Sequence, residues 1–365
     1  MSKLFETTEI NGMALSNRFV RSATWEGLAA QDGEVTPQLI EMMVNLAQGG
    51  VGLIITSHAY VRPEGQAGRW QIAVYHDRFI PGLCHMTAAV HKYESKIILQ
   101  LAHAGVFTSE KITGQLPLAV SEPEEPGNLQ YRTITDQDVQ VLVKAYADGA
   151  RRAKEAGFDG VQIHAAHGYL LSQFLSPALN RRTDQYGGDI HNRSRVLMQV
   201  YQAIRTVVGD DYPIFIKLNC QDFIKNGLTL EDSIWVGQML SKEGLDAIEI
   251  SGGLLTSKML SPSRPKKPSE EEAPYYLNEA RAFKNAVNVP VILVGGIRSF
   301  HQSEDLVTTG VADYISMSRP FIKEPDLINR WKYGDTANAE CKSDNRCFRM
   351  GMSGNGISCD MKKET

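Results

Sequence analysis

The chain has 365 residues, with 38 Lys and Arg against 42 Asp and Glu, a net charge of −4, 42% hydrophobic and 22% charged residues. This composition excludes an intrinsically disordered or fibrous protein, and the charge offers no basic field for a nucleic-acid backbone. No stretch of 18 apolar residues predicts a membrane span, the start runs straight into polar residues without a secretory signal, and five cysteines are few and odd enough to suit a reducing cytoplasm.

Within residues 1–16, Asn11-Gly12 predicts a hairpin. A short apolar run at 18–23 predicts a first strand. A helix-like stretch then ends at Leu46-Ala47-Gln48-Gly49-Gly50 and leads into an apolar run at 51–56. Another strand is expected at 97–101, followed by a long loop, 103–134, that holds Pro117, Pro123 and Pro126. Asp136 and Asp138 open a helix with Val139, Leu142, Val143, Tyr146 and Ala150 on one stripe. It ends at Gly157, and a strand follows at 160–164. A strand at 213–218 precedes a helix capped by Thr229 with Asp232 in its first turn. Gly244 leads into a strand at 246–251, and a second long loop runs over 252–275 with Pro262, Pro265, Pro268 and Pro274. Strands at 289–294 and, after Gly310, at 312–317 complete the series.

Glycine suits the left-handed position that ends a helix, and an unbroken apolar run suits a strand buried on both faces. Eight strands alternating with helices predict an α/β protein, a single (β/α)8 TIM barrel rather than an open sheet. The reading is one barrel domain over 1–335, with the N-terminal hairpin plugging its bottom, and a polar, Cys-containing tail over 336–365. Both long loops follow strands, so both belong to the face where barrel chemistry takes place.

At the end of the fourth strand stands His164-Ala165-Ala166-His167-Gly168-Tyr169. Two imidazoles and a phenol at a barrel mouth can bind an oxygen anion and deliver a proton, or can satisfy one another in a tight turn. A zinc reading of the two histidines lacks a third ligand at suitable spacing, and no metal is expected. Gly295-Gly296 after strand seven and Ser318-Arg319 after strand eight suit a phosphate site, with backbone N–H groups bared by glycine and an arginine fork.

Joined by Asn180-Arg181-Arg182-Thr183-Asp184-Gln185-Tyr186-Gly187-Gly188, Asn17-Arg18-Phe19-Val20, Gln100-Leu101-Ala102-His103-Ala104-Gly105, Val294-Gly295-Gly296-Ile297-Arg298 and Ser318-Arg319-Pro320-Phe321, this segment resembles the signature of Old Yellow Enzyme-type NADH:flavin oxidoreductases, the ene-reductases. The resemblance extends from Leu4 to about Trp331. It implies FMN across the barrel mouth, NADH or NADPH as reductant, and hydride transfer to an activated alkene, a small-molecule substrate. His164 and His167 would hold the substrate oxygen and Tyr169 would give the proton. Ala23, Thr24, Trp25, Ser57, Gln100, His164, Lys217, Gly295, Gly296, Ser318 and Arg319 would bind the cofactor, with Gln100 on the pyrimidine ring and Lys217 near N1 and C2=O. Neither nucleic acid nor membrane is an expected partner, and a homo-oligomer is compatible with this reading.

Two places depart from the family pattern. Trp25 stands where one branch has a cysteine near the flavin, and an indole offers only an N–H there. Cys341, Cys347 and Cys359 resemble an iron–sulfur segment that uses four cysteines, one more than this tail provides. The run Arg264-Pro265-Lys266-Lys267-Pro268 with Glu270-Glu271-Glu272 is read as a solvated loop, a lid or a grip on the NADPH phosphate being the sharper alternative. For the whole chain, a Lys217 Schiff-base lyase or aldolase, and a flavin-binding barrel without turnover, are the alternatives.

Overall fold

A computed structural model of the chain describes residues 2–122, 130–265 and 274–359. Eight parallel strands close into a barrel in chain order: β1 (Phe19–Arg21), β2 (Leu53–Tyr60), β3 (Lys96–Ala102), β4 (Gly160–Ala165), β5 (Ile214–Asn219), β6 (Ala247–Ser251), β7 (Val291–Val294) and β8 (Tyr314–Met317), with β8 pairing back onto β1. The connecting helices are α1 (Pro37–Gln48), α2 (Ile80–Val90), α3 (Asp136–Glu155), α4 (Arg195–Val208), α5 (Leu230–Lys242), α6 (Leu277–Ala286) and α7 (Phe300–Thr308). After β8 come α8 (Arg319–Lys323), α9 (Leu327–Lys332) and, in the tail, α10 (Arg346–Met352). Among the described residues no helix is long and apolar enough to cross a membrane.

The end signals act where the sequence places them. Thr135 caps α3 in a capping box, its Oγ1 accepting from Asp138 N while Thr135 N donates to Asp138 Oδ2. Thr229 Oγ1 likewise accepts from Asp232 N at 3.2 Å. Gly157 and Gly310 follow α3 and α7 with φ of 80° and 72°. The helices bury Leu39, Met43 and Leu46, then Val139, Leu142, Tyr146 and Ala150, then Val200 and Ile204 against the outer face of the strands. Each such large aliphatic side chain contributes about 1.5–3 kcal/mol.

Inside the barrel, Val20, Leu53, Ile55, Ile98, Phe215, Ala247, Ile292 and Tyr314 form a separate apolar layer with Ile10, Met13 and Leu15. Those last three belong to the N-terminal hairpin, Thr8–Ile10 paired with Met13–Leu15 through Asn11 and Gly12, both at positive φ. The hairpin therefore plugs the bottom, and Gln100, Lys217 and Glu249, each two residues on from a member of this layer, lie above it.

β2 runs past the expected end at Thr56 because it carries a bulge. Ile55 pairs with Ile98 but His58 pairs with Gln100, so Thr56 and Ser57 together oppose Leu99. Thr56 Oγ1 accepts from Gln100 N at 3.3 Å, bridging the gap. His58 is thereby brought into phase with the inward-facing Gln100.

The tail packs back across the barrel mouth. Arg298 Nε donates to Cys341 O at 3.1 Å, Arg298 also bonds Ser343 Oγ, and Ile357 N donates to Glu26 O at 2.7 Å. The ring of Trp25 lies against Gly351 of α10. Cys341, Cys347 and Cys359 line one small cavity with Arg319 and Ser343, of about 20 Å³, room for little more than a water.

Candidate active site

The turn after β4 builds the centre of the site. His167 and Gly168 both take left-handed backbone, at φ 64° and 86°. Gly168 has to be glycine, since a Cβ there would lie 2.5 Å from the Phe107 ring. For His167 the conformation is strained and must be held from outside. Asn219 Oδ1, from the end of β5, accepts from His167 N at 3.1 Å, and Ser251 Oγ, from the end of β6, lies 2.7 Å from His167 Nε2. The turn brings His164, His167 and Tyr169 together, with ring centroids 5.2 Å apart for the two histidines and 4.7 Å for His164 and Tyr169. A fourth ring joins them that the sequence reading did not include. His58, delivered by the β2 bulge, stacks on Tyr169 and places Nε2 3.2 Å from its Oη.

Burial sets the protonation of this cluster. It pushes His58 down to about 4, and with the neighbouring imidazoles and Lys217 it pushes His164 and His167 well below the ordinary imidazole value. At neutral pH these are therefore neutral rings, donors through one nitrogen and acceptors through the other. Burial raises the Tyr169 phenol, so it keeps its proton. His164 Nδ1 is buried and has no hydrogen-bond partner.

Beneath the rings lies a closed polar layer. Gln100 Nε2 donates to Gln162 Oε1 at 2.7 Å, and Gln162 Nε2 donates to Glu249 Oε2 at 2.9 Å. Lys217 Nζ reaches the same Glu249 oxygen at 2.9 Å and Ser22 Oγ at 2.7 Å, while Ser316 Oγ donates to Glu249 Oε1 at 2.8 Å. Gln100 and Lys217 thus face the barrel interior as expected, and Lys217 is one half of a buried ion pair.

The loops after β7, β8 and β1 meet at a second locus. Gly295 and Gly296 have φ of 110° and 81°, and Arg298 Nη1 donates to Gly296 O at 3.0 Å. Arg319 Nη1 donates to Arg264 O at 2.7 Å and to Asn345 Oδ1 at 2.8 Å. The Arg264 guanidinium covers the Tyr275 ring at 4.3 Å. Among the described residues, Arg264, Arg298 and Arg319 form no ion pair with a carboxylate. Ser318 Oγ lies 2.7 Å from Thr24 Oγ1, which ties the loop after β8 to that after β1. Ala23 packs against the apolar layer of the barrel, while Trp25 Nε1 and Ser57 Oγ are buried without partners. Gly295, Gly296, Ser318 and Arg319 thus come together, joined by Arg264 from the charge run and by Arg298 and Asn345, to which the sequence reading gave no role. Of the charge run at 264–272, only Arg264 and Pro265 lie within the described residues. Among the described residues no three His, Cys, Asp or Glu side chains gather so as to hold a metal ion.

A family model described as NADH:flavin oxidoreductase / NADH oxidase matches residues 3–338. The chain is 36% identical over 336 residues to an NADH oxidase of Thermoanaerobacter brockii, covering 91% of this chain but only 51% of that protein, so it spans about half of that relative's length. It is 33% identical over 328 residues to an NADPH dehydrogenase of Halalkalibacterium halodurans, covering 88% of this chain and 92% of the relative. A solved structure of an old yellow enzyme homologue from Zymomonas mobilis superposes with a TM-score of 0.78 at 26% identity, covering 92% of this chain and 94% of that one.

Proposed function

The chain belongs to the NADH:flavin oxidoreductase / NADH oxidase family, and on that premise we propose that it is an FMN-dependent NAD(P)H oxidoreductase, an ene-reductase acting on activated C=C bonds of enones, enals and related electrophiles. The observation that carries this reading is the set of unmet polar atoms around the mouth. Trp25 Nε1 in the loop after β1, Ser57 Oγ in the bulge of β2 and His164 Nδ1 near the end of β4 are buried without partners. Buried polar groups are almost always satisfied, so three unmet ones on neighbouring segments of the barrel fit a polar ligand seated among them.

FMN, when bound, would accept hydride from NAD(P)H and supply it to the alkene. Ala23, Thr24, Trp25, Ser57, Gln100, His164 and Lys217 would hold its ring system. Gly295, Gly296, Ser318 and Arg319 would hold its phosphate, in a locus whose arginines pair with no carboxylate among the described residues. His164 and His167 would donate N–H bonds to the substrate's carbonyl oxygen. Negative charge grows on that oxygen as hydride reaches the β-carbon, and a fixed donor there is worth about 3 kcal/mol. Tyr169, kept protonated by burial, would give its proton to the α-carbon. The salt bridge of Lys217 to Glu249 supports an ion-pair role for this lysine over that of a free amine nucleophile.

Cytoplasmic residence, supported by five free thiols, a homo-oligomeric state and a division of the chain into barrel and tail at 335/336 belong to the same proposal. A visible spectrum tests it. The purified protein is expected to be yellow, to release FMN rather than FAD in acid, to bleach with NAD(P)H and to recolour on adding an enone. A colourless protein that takes up no FMN overturns the reading.

A further inference from the structure

Glu249 has no exposed surface, stands in the middle of β6, and has no part in the chemistry described above. One turn of the pleat below it, Ala247 belongs to the apolar plug layer; one turn above, Ser251 holds His167. Its Cα pairs with that of Lys217, as Ser251 pairs with Asn219, so acid and base lie side by side on adjacent strands. Both carboxylate oxygens are engaged, one by Lys217 and Gln162, the other by Ser316. A buried ion pair costs desolvation that aliphatic packing avoids, so the barrel gives up packing energy to keep this carboxylate under the site.

We propose that Glu249 is a positioning and charge-balancing residue for the flavin end of the site, acting through Lys217. This rests on the flavin reading above. An ammonium has three N–H donors. Glu249 and Ser22 take two of them, which fixes the side chain and leaves one for a ligand. With the carboxylate 2.9 Å away, the pair acts on a ligand beyond it as a dipole, and its field falls off faster than that of a lone cation. A flavin ring gains negative charge on its pyrimidine side when it is reduced or when a nucleophile adds to N5. A lone lysine would favour those charged forms strongly, and Glu249 moderates it, keeping the flavin a better hydride donor.

Sulfite is the probe. Its lone pair forms a bond to N5 of the oxidised flavin, and the displaced ring electron pair leaves the negative charge on the pyrimidine side. Titration of the FMN-loaded protein is expected to show Glu249→Gln binding sulfite about tenfold tighter or more, the scale on which one nearby charge moves a buried equilibrium. Its flavin midpoint potential should rise. Lys217→Gln should bind sulfite more weakly, and Lys217→Gln with Glu249→Gln should recover part of that loss without reaching the parent, because the repulsion of the carboxylate is gone but the ammonium that faces the ligand is not restored. Unchanged sulfite affinity and potential in FMN-replete Glu249→Gln overturn the inference while leaving the flavin reading intact. Should Glu249→Gln fail to fold, the contrast between Lys217→Gln and the double variant decides, and equal affinities there overturn it. A parent protein that takes up no FMN removes the flavin reading itself, and this inference with it.

Discussion

Tyr169 and His58 meet face to face from the ends of different strands, with ring centroids 5.3 Å apart, planes inclined by 27°, and Nε2 3.2 Å from the phenol oxygen. A phenol that gives up its proton becomes an anion in a buried place, and the His58 tautomer with its proton on Nε2 donates to that oxygen and stabilises the anion. His58→Phe keeps the stacked ring and removes the N–H. It is expected to slow enone reduction several-fold, about 0.5–1.5 kcal/mol for one hydrogen bond, and to have no further effect when Tyr169 is already Phe. Rapid mixing of pre-reduced single and double variants with cyclohexenone measures both, and additive losses would sever the two residues.

Tyr169→Phe by itself should slow reoxidation of the flavin by an enone by about 10²–10⁴-fold. Flavin reduction by NAD(P)H needs no proton from the phenol, so that half-reaction should change little. Separate stopped-flow traces for the two halves check this, and an unaltered enone rate would remove Tyr169 from the chemistry.

His164 and His167 should also bind phenols, which mimic the enolate oxygen of a half-reduced substrate. A phenolate held over oxidised flavin should give a long-wavelength charge-transfer band. Replacing either histidine with Ala should weaken phenol binding by about 1.5–3 kcal/mol, the worth of a hydrogen bond to a charged group. A double alanine variant with the same phenol affinity and band would place the anion site elsewhere.

Acid should unfold the protein through its buried imidazoles. His103 is fully buried and, like His58, is pushed down by burial to about 4 from an ordinary 6.5. Above pH 6.5 the ring is neutral in both folded and unfolded chains and pH has no leverage. Between about pH 6.5 and 4 the unfolded chain takes up a proton that the folded ring refuses, so stability falls as pH falls, by about 1.4 kcal/mol per pH unit for each such group. Urea midpoints measured across this window should show the slope. His103→Asn, which keeps an acceptor for Gly105 N–H, should flatten it by one proton's worth, and an unchanged slope would exclude His103 as a source.

The barrel was legible because each strand is a short apolar run introduced by a glycine-ended helix, and both signals are local. The rings at His164, His167 and Tyr169 were legible because they share one turn at a strand end. Glu249 was not read, although a signal exists. A lone carboxylate in Ala247-Ile248-Glu249-Ile250, a run otherwise suited to burial on both faces, demands a partner, and Lys217 sits in a run of the same kind. His58 could not be read, since counting alternate residues from Leu53 and Ile55 turns it toward the helices. The grip of the tail on Arg298 and Arg319 was hidden for another reason. Its contacts are mostly backbone carbonyls and small polar side chains, which carry no periodicity.

The bulge in β2 means that this site depends on strand length as well as on residue type. Because Thr56 and Ser57 together face Leu99, the mouth receives Ser57 and His58 in succession, where a straight strand would offer one side chain and hide the next. A straight second strand would offer one position opposite Gln100, so a substitution there could place an imidazole or a hydroxyl at the mouth but not both in succession. The reverse change is informative. Removing Ser57 would straighten the ladder and leave His58 opposite Gln100, so an insertion or deletion of a single residue separates the two contributions that substitutions cannot.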